Sequence, residues 1–156
     1  MFLTGDDVAK ILGIDGVQVQ PAGVDLRVGE VRRLESPGLL GEADRRIPEG
    51  ARVEPVEGWW SLGPGAYRIR FLDVVRVPPN VVGLCFPRSS LLRMGALVGC
   101  AVWDPGYVGR GEALLAVFNP MGIRLEQGAR VAQLVYATLR REASRLYEGV
   151  YKGEGL

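Results

Sequence analysis

The chain has 156 residues, 47% of them apolar and 24% charged, with a net charge of +1; this balance suits a soluble domain and gives no general pull toward nucleic acid or membrane. Histidine is absent, which removes the commonest general base and the commonest zinc ligand, and Cys85 and Cys100 alone cannot complete a His/Cys/Cys zinc site. No apolar run approaches the roughly 20 residues of a membrane helix, and the N-terminus lacks a basic region followed by an apolar one, so one cytoplasmic domain over residues 1–156 is expected.

Thr4 is placed to cap a short helix that carries Val8, Ile11 and Leu12 on one face and ends at Gly13. Val17 and Val19 alternate with Gln18 and Gln20, and Val24, Leu26 and Val28 alternate with Asp25 and Arg27, which predicts two strands with Asp25 on the polar face. Residues 35–50 mix Pro, Gly, Glu and Arg without a period and read as an exposed loop that carries no chemistry. Trp59 and Trp60 precede the turn signal Gly63-Pro64-Gly65 and read as core or subunit interface. Tyr67, Ile69 and Phe71 then alternate with Arg68 and Arg70 as a half-buried strand. Two further apolar runs, Val74 to Val77 and Val81 to Phe86, flank Pro78-Pro79-Asn80. Cys85 and Cys100 sit in such runs as buried free thiols, with a disulfide between neighbouring strands as the alternative. Strand signals outnumber helix signals, so the class is mainly antiparallel β, a barrel or jelly roll.

The stretch Arg88-Ser89-Ser90-Leu91-Leu92-Arg93-Met94-Gly95 reads as an anion site. Ser89 or Ser90 can cap a short helix closed by Gly95, bringing backbone N–H groups, hydroxyls and the Arg88 and Arg93 guanidinium groups together. In Trp103-Asp104-Pro105-Gly106-Tyr107, Pro-Gly suits the centre of a type II turn and puts the Asp104 carboxylate at its first corner, in the mouth of a hairpin running from Leu97 to Asn119. Asn119-Pro120-Met121-Gly122 and Gln127-Gly128 turn the chain into two more strands, and the last, Val131 to Leu139, places Gln133 on the same face as Val131 and Val135. Residues 146–156 hold too few aliphatic side chains for a strand or helix. They are either a frayed end or a segment that closes over a bound ligand.

The ordered series PAGVDLRVG, RSSLLRMG, DPGYVG, LLAVFN and GARVAQLVY resembles the motifs of the dUTPase and dCTP deaminase superfamily, over about residues 22–31 and 62–154. The resemblance implies a distorted antiparallel β-barrel of the dUTPase type and a homotrimer with active sites between subunits, with neither nucleic acid nor membrane as partner. It implies a dUTP substrate carrying Mg²⁺ on its triphosphate, with Arg88, Ser89, Ser90 and Arg93 on the phosphates and Asp25 near the metal-bound phosphates, acting through water. Asp104 would activate the attacking water, the backbone of the hairpin mouth would read the pyrimidine, and Trp103 and Gln133 would also contact the substrate. Tyr107 would pack under the deoxyribose, and Tyr147, Tyr151 and Lys152 would cover the nucleotide. Deaminases of this superfamily resemble one another in a Glu three residues before the Asn that ends the hairpin; here that position is Ala116, and the nearest carboxylate, Glu112, reads as a residue exposed at the start of the strand. The combination is most similar to archaeal dUTPases of the deaminase branch, giving dUMP and pyrophosphate. The alternatives are a dCTP deaminase, alone or with dUTPase activity, and a nucleotide-binding regulatory protein without turnover.

Overall fold

The computed structural model describes residues 1–156. Helix α1 (Gly5–Leu12) starts at the expected cap, Thr4, and Asp7 completes a capping box: the Thr4 hydroxyl accepts from the Asp7 N–H at 3.3 Å and donates to its carboxylate at 2.7 Å. Gly13 ends it in the left-handed region, and Val8 and Leu12 are buried against the barrel. A Cβ on Gly5 would fall 1.6 Å from the Gln20 carbonyl oxygen, so only glycine lets the helix start this close to the strand beneath it.

The barrel is built from β1 (Gly23–Arg33), β2 (Trp59–Leu62), β3 (Gly65–Phe71), β4 (Val81–Pro87), β5 (Ala96–Gly99), β6 (Glu112–Val117), β7 (Ile123–Glu126) and β8 (Arg130–Thr138). The main sheet runs β5-β6-β3-β1-β8-β4, antiparallel throughout, and β5 returns to within contact of β4, so the barrel is nearly closed. β2 and β7 pair separately. The alternating residues Val24, Leu26 and Val28 on β1, Tyr67, Ile69 and Phe71 on β3, and Leu134 and Tyr136 on β8 fill its interior. Trp60 is core, with its indole N–H donating to the Val53 carbonyl at 2.8 Å, whereas Trp59 lies at the surface beneath the Arg124 guanidinium.

Two local expectations are corrected. The segment around Val17 is not a strand: Gly16–Gln18 is a 3₁₀ turn and only Val19–Gln20 pairs with β1. The turn is fixed by the Gln18 amide, which donates to the Asp25 carbonyl at 2.9 Å and the Asp73 carboxylate at 3.1 Å. Asp25, expected on a polar face, is only 1% exposed, because Arg88 and Arg130 close over that side of β1. Both cysteines are free thiols, and the Cys100 thiol beside it, together with burial, pushes Cys85 up.

β5 and β6 pair from Ala96↔Val117 to Gly99↔Leu114 and then separate. The separated limb is held by β4: Gly83 and Trp103 exchange both backbone hydrogen bonds, at 2.9 and 3.0 Å. A Cβ on Gly83 would lie 2.9 Å from Trp103 Cβ and 3.0 Å from the Tyr136 ring. Gly83→Ala should therefore overpack this seam and lower stability by about 1–3 kcal/mol, read as a drop in thermal midpoint.

Candidate active site

The Trp103–Tyr107 segment forms the expected type II turn: Tyr107 N–H donates to the Asp104 carbonyl at 3.1 Å, and Gly106 takes φ +87°. Asp104 is exposed and stands at the rim of a cavity of about 550 Å³. The walls are the hairpin mouth (Gly99, Ala101, Val102, Gly111), the aromatic rings of Trp103 and Tyr107, and Arg68 with Glu112. The backbone N–H and C=O groups of Ala101 and Val102 make no hydrogen bond within the chain, so the wall offers a free edge of alternating donors and acceptors. Trp103 meets Tyr107 edge to face at 5.2 Å between centroids, and its buried indole N–H also lacks a partner.

The cavity is closed on one side by the chain's own C-terminus. Tyr147 N–H donates to the Pro105 carbonyl at 2.7 Å, and Tyr147, Tyr151 and Glu154 line the space. The tail is docked rather than frayed. Lys152 does not reach the cavity; its ammonium pairs with Glu148 at 2.6 Å. Tyr107 donates its hydroxyl hydrogen to Glu154 Oε1 at 2.8 Å, and burial pushes the Tyr107 phenol up. Burial raises the Glu154 carboxyl and Glu112 adds to the rise, while the Tyr107 hydrogen bond, Arg70 and Arg68 pull it back.

Glu112, expected to be an exposed residue at the strand start, is instead half-buried in this wall. It faces Arg70 across the β3–β6 pair, accepting from Nη2 at 2.7 Å, and lies 3.1 Å from Arg68 Nε. The 35–50 loop is exposed as expected but is not idle: Ile47 and Pro48 line the cavity, and Arg68 donates to the Pro48 carbonyl at 3.1 Å. Neither Arg68 nor Glu154 stands out in the sequence as a site residue, and Glu112 reads there as an exposed residue at the strand start. The opposed charges of Arg68, Arg70 and Glu112 on two neighbouring strands were the available signal.

The anion residues are elsewhere. Helix α2 (Ser89–Arg93) is capped by Arg88, not by a serine, and no side chain caps it; Ser89, Ser90 and Arg93 are exposed. Arg88 Nη1 lies 3.3 Å from Asp25 Oδ2, which Arg130 also meets at 3.2 Å. Desolvation raises the Asp25 carboxyl, against the pull of the two guanidinium groups, and its Oδ1 has no partner. Gln133 pairs with Asp25 in the β1–β8 register and makes no side-chain hydrogen bond. None of Arg88, Ser89, Ser90 or Arg93 lines the cavity. Gly83 touches the hairpin limb and Arg88 lies five residues farther along extended chain, a run of about 16 Å at roughly 3.3 Å per residue. Within one chain the Arg88–Arg93 cluster and Asp104 therefore do not meet.

A family model described as dCTP deaminase-like matches residues 5–139. The chain belongs to this family. The probable deoxyuridine 5′-triphosphate nucleotidohydrolase of Aeropyrum pernix is 55% identical over 159 residues, covering 100% of both chains. The deoxyuridine 5′-triphosphate nucleotidohydrolase of Methanocaldococcus jannaschii is 40% identical over 140 residues, covering 87% of this chain and 88% of its own. Among solved structures, the 2′-deoxycytidine 5′-triphosphate deaminase from Agrobacterium tumefaciens superposes with a TM-score of 0.67 at 19% identity, a likeness of fold; 88% of this chain is covered and 47% of that one.

Because the tail contributes no strand to the barrel, deleting residues 146–156 should leave the thermal midpoint within a few degrees of the full-length value. The opened cavity should then bind an apolar dye more strongly, measured by fluorescence titration.

Proposed function

We propose that this protein hydrolyses dUTP to dUMP and pyrophosphate in the cytoplasm, at sites shared between subunits of a homotrimer. The observation that carries the reading is the cavity itself, with a carboxylate fixed by a turn at its rim and a free backbone edge in its wall. The position where a deaminase of this family carries its Glu is Ala116, which pairs with Ala66 and Leu97 outside the cavity. Glu112, the carboxylate that does reach the cavity, is held between Arg68 and Arg70, which ties it into the wall. The near relatives' names point the same way.

In this mechanism the base is read by the Ala101–Val102 edge. Uracil and cytosine differ in donor and acceptor pattern, so the wrong base leaves backbone groups unpaired. Tyr107 and Trp103 flank the sugar and base. Asp104 accepts a proton as water attacks the α-phosphorus; the new P–O bond forms as the bridge to the β-phosphate breaks, and pyrophosphate departs. The phosphates are bound by Arg88, Ser89, Ser90 and Arg93 of a neighbouring subunit, since the chain's own copies are too far away. Gln133 and Asp25 stand behind that cluster. Exposed Phe86, Leu92, Leu97 and Phe118 supply apolar surface for assembly.

Magnesium fits as part of the substrate. No three His, Cys, Asp or Glu side chains gather in one place, so the ion would come with the triphosphate, and the unpartnered Asp25 Oδ1 fits a contact through water. When bound, Mg²⁺ neutralises charge on the phosphates.

An assay that reads pyrophosphate and ammonia separately tests this. dUTP should yield pyrophosphate and dCTP no ammonia, and Asp104→Asn should keep nucleotide affinity while losing about 10²–10⁴ in turnover. Undiminished turnover in Asp104→Asn would remove the base from this role; ammonia from dCTP would restore the deaminase reading, with Glu112→Ala as its next test.

A further inference from the structure

We infer that Glu154 is a positioning residue that latches the C-terminal tail to Tyr107 and thereby fixes the ring on which selection against a 2′-hydroxyl depends; the sugar part rests on the reading proposed above. The tail touches the barrel through few polar ties. Besides the Tyr147 N–H on the Pro105 carbonyl, Gly153 N–H donates to the Val108 carbonyl at 2.7 Å, Arg110 N–H donates to the Glu154 carbonyl at 2.8 Å, and Arg110 Nη1 donates to the Gly155 carbonyl at 3.3 Å. The Tyr107 hydroxyl on Glu154 Oε1 is the one hydrogen bond between side chains that joins tail and barrel.

The seat for this contact is written into the turn. Gly106 takes a positive φ, as its turn requires, but Gly109 does not, so its glycine answers to space rather than to backbone conformation. A Cβ there would lie 2.7 Å from the Tyr107 hydroxyl and 3.1 Å from the Glu154 carbonyl oxygen. The residue that lacks a side chain is the one that makes room for the latch.

With Glu154 in place, the Tyr107 ring is held at its hydroxyl, by Trp103 at 5.2 Å and by Tyr147 at 5.7 Å between centroids. A ring restrained on these sides cannot yield to an additional sugar hydroxyl. Freed at its hydroxyl, it can. The same bond holds the tail, so closure of the cavity and rigidity of the ring become one event.

The test has two arms on the full-length protein. In the first, trypsin cleavage after Arg145 and Lys152 is followed by mass spectrometry without nucleotide: Glu154→Ala and Tyr107→Phe should each be cut about tenfold faster than wild type, and Glu154→Gln, which keeps an acceptor oxygen, should stay near wild type. In the second, the ratio of kcat/KM for dUTP to that for UTP should fall about tenfold in Glu154→Ala and in Tyr107→Phe, no further in the double variant, and recover in Glu154→Gln. Unchanged cleavage in Glu154→Ala overturns the latch whatever the substrate is. Faster cleavage with an unchanged nucleotide ratio overturns the positioning of the ring. Failure of the wild type to hydrolyse dUTP overturns the proposed function instead, and the cleavage arm still decides the latch.

Discussion

The pair of backbone hydrogen bonds between Gly83 and Trp103 sets the geometry of the whole site. They hold the hairpin limb against β4 just where β5 and β6 part, so the mouth stays open and its backbone groups stay free. The same strand then carries the chain away to Arg88 and α2. One rigid strand therefore fixes both the cavity and the anion cluster and also keeps them apart. Because a strand of this length cannot shorten, the separation is a property of the fold rather than of a loop that could close.

Charge placement around the cavity follows from that frame. The wall strand β6 presents Glu112 to Arg68 and Arg70 of β3, and Arg70 also approaches Glu30 of β1 at 4.0 Å, so the acid lies within a ladder of opposite charges. Asp104, by contrast, has no ion-pair partner and faces solvent at the rim. The two acids thus differ in setting: one is braced within the wall, and the other stands unpaired at the rim. At the far end of β4, Asp25 is held between Arg88 and Arg130, which orients Arg88 without satisfying both carboxylate oxygens.

Much of this was legible in the residues. The helix cap at Thr4, the alternation on β1 and β3 and the type II turn at Asp104 all follow from local patterns with a direct physical cause, whereas the tail's composition left a frayed end and a closing segment equally open. What escaped was long-range. The alternation that put Asp25 on a polar face is correct for an isolated strand, but it carries no information about Arg88 and Arg130, which arrive from distant segments to cover it. Glu112 was misplaced for the same reason, since its partners lie on a strand some forty positions earlier. Residues 35–50 have no period to read, yet Ile47 and Pro48 reach the cavity because Arg68 draws the Pro48 carbonyl inward. The distance between the anion cluster and Asp104 could not be read at all, because neighbours in motif order need not be neighbours in space.

The proposed site takes its carboxylate from one subunit and its Arg88–Arg93 cluster from another. It is tested most directly by co-refolding equal amounts of Asp104→Asn and Arg88→Ala chains, each nearly inactive alone, and measuring dUTP hydrolysis by the mixture. In randomly assembled trimers a site has both intact halves in about one case in four, so the mixture should regain about a quarter of wild-type activity. A mixture no more active than the separate variants would contradict the shared site and place all the catalytic groups within a single chain.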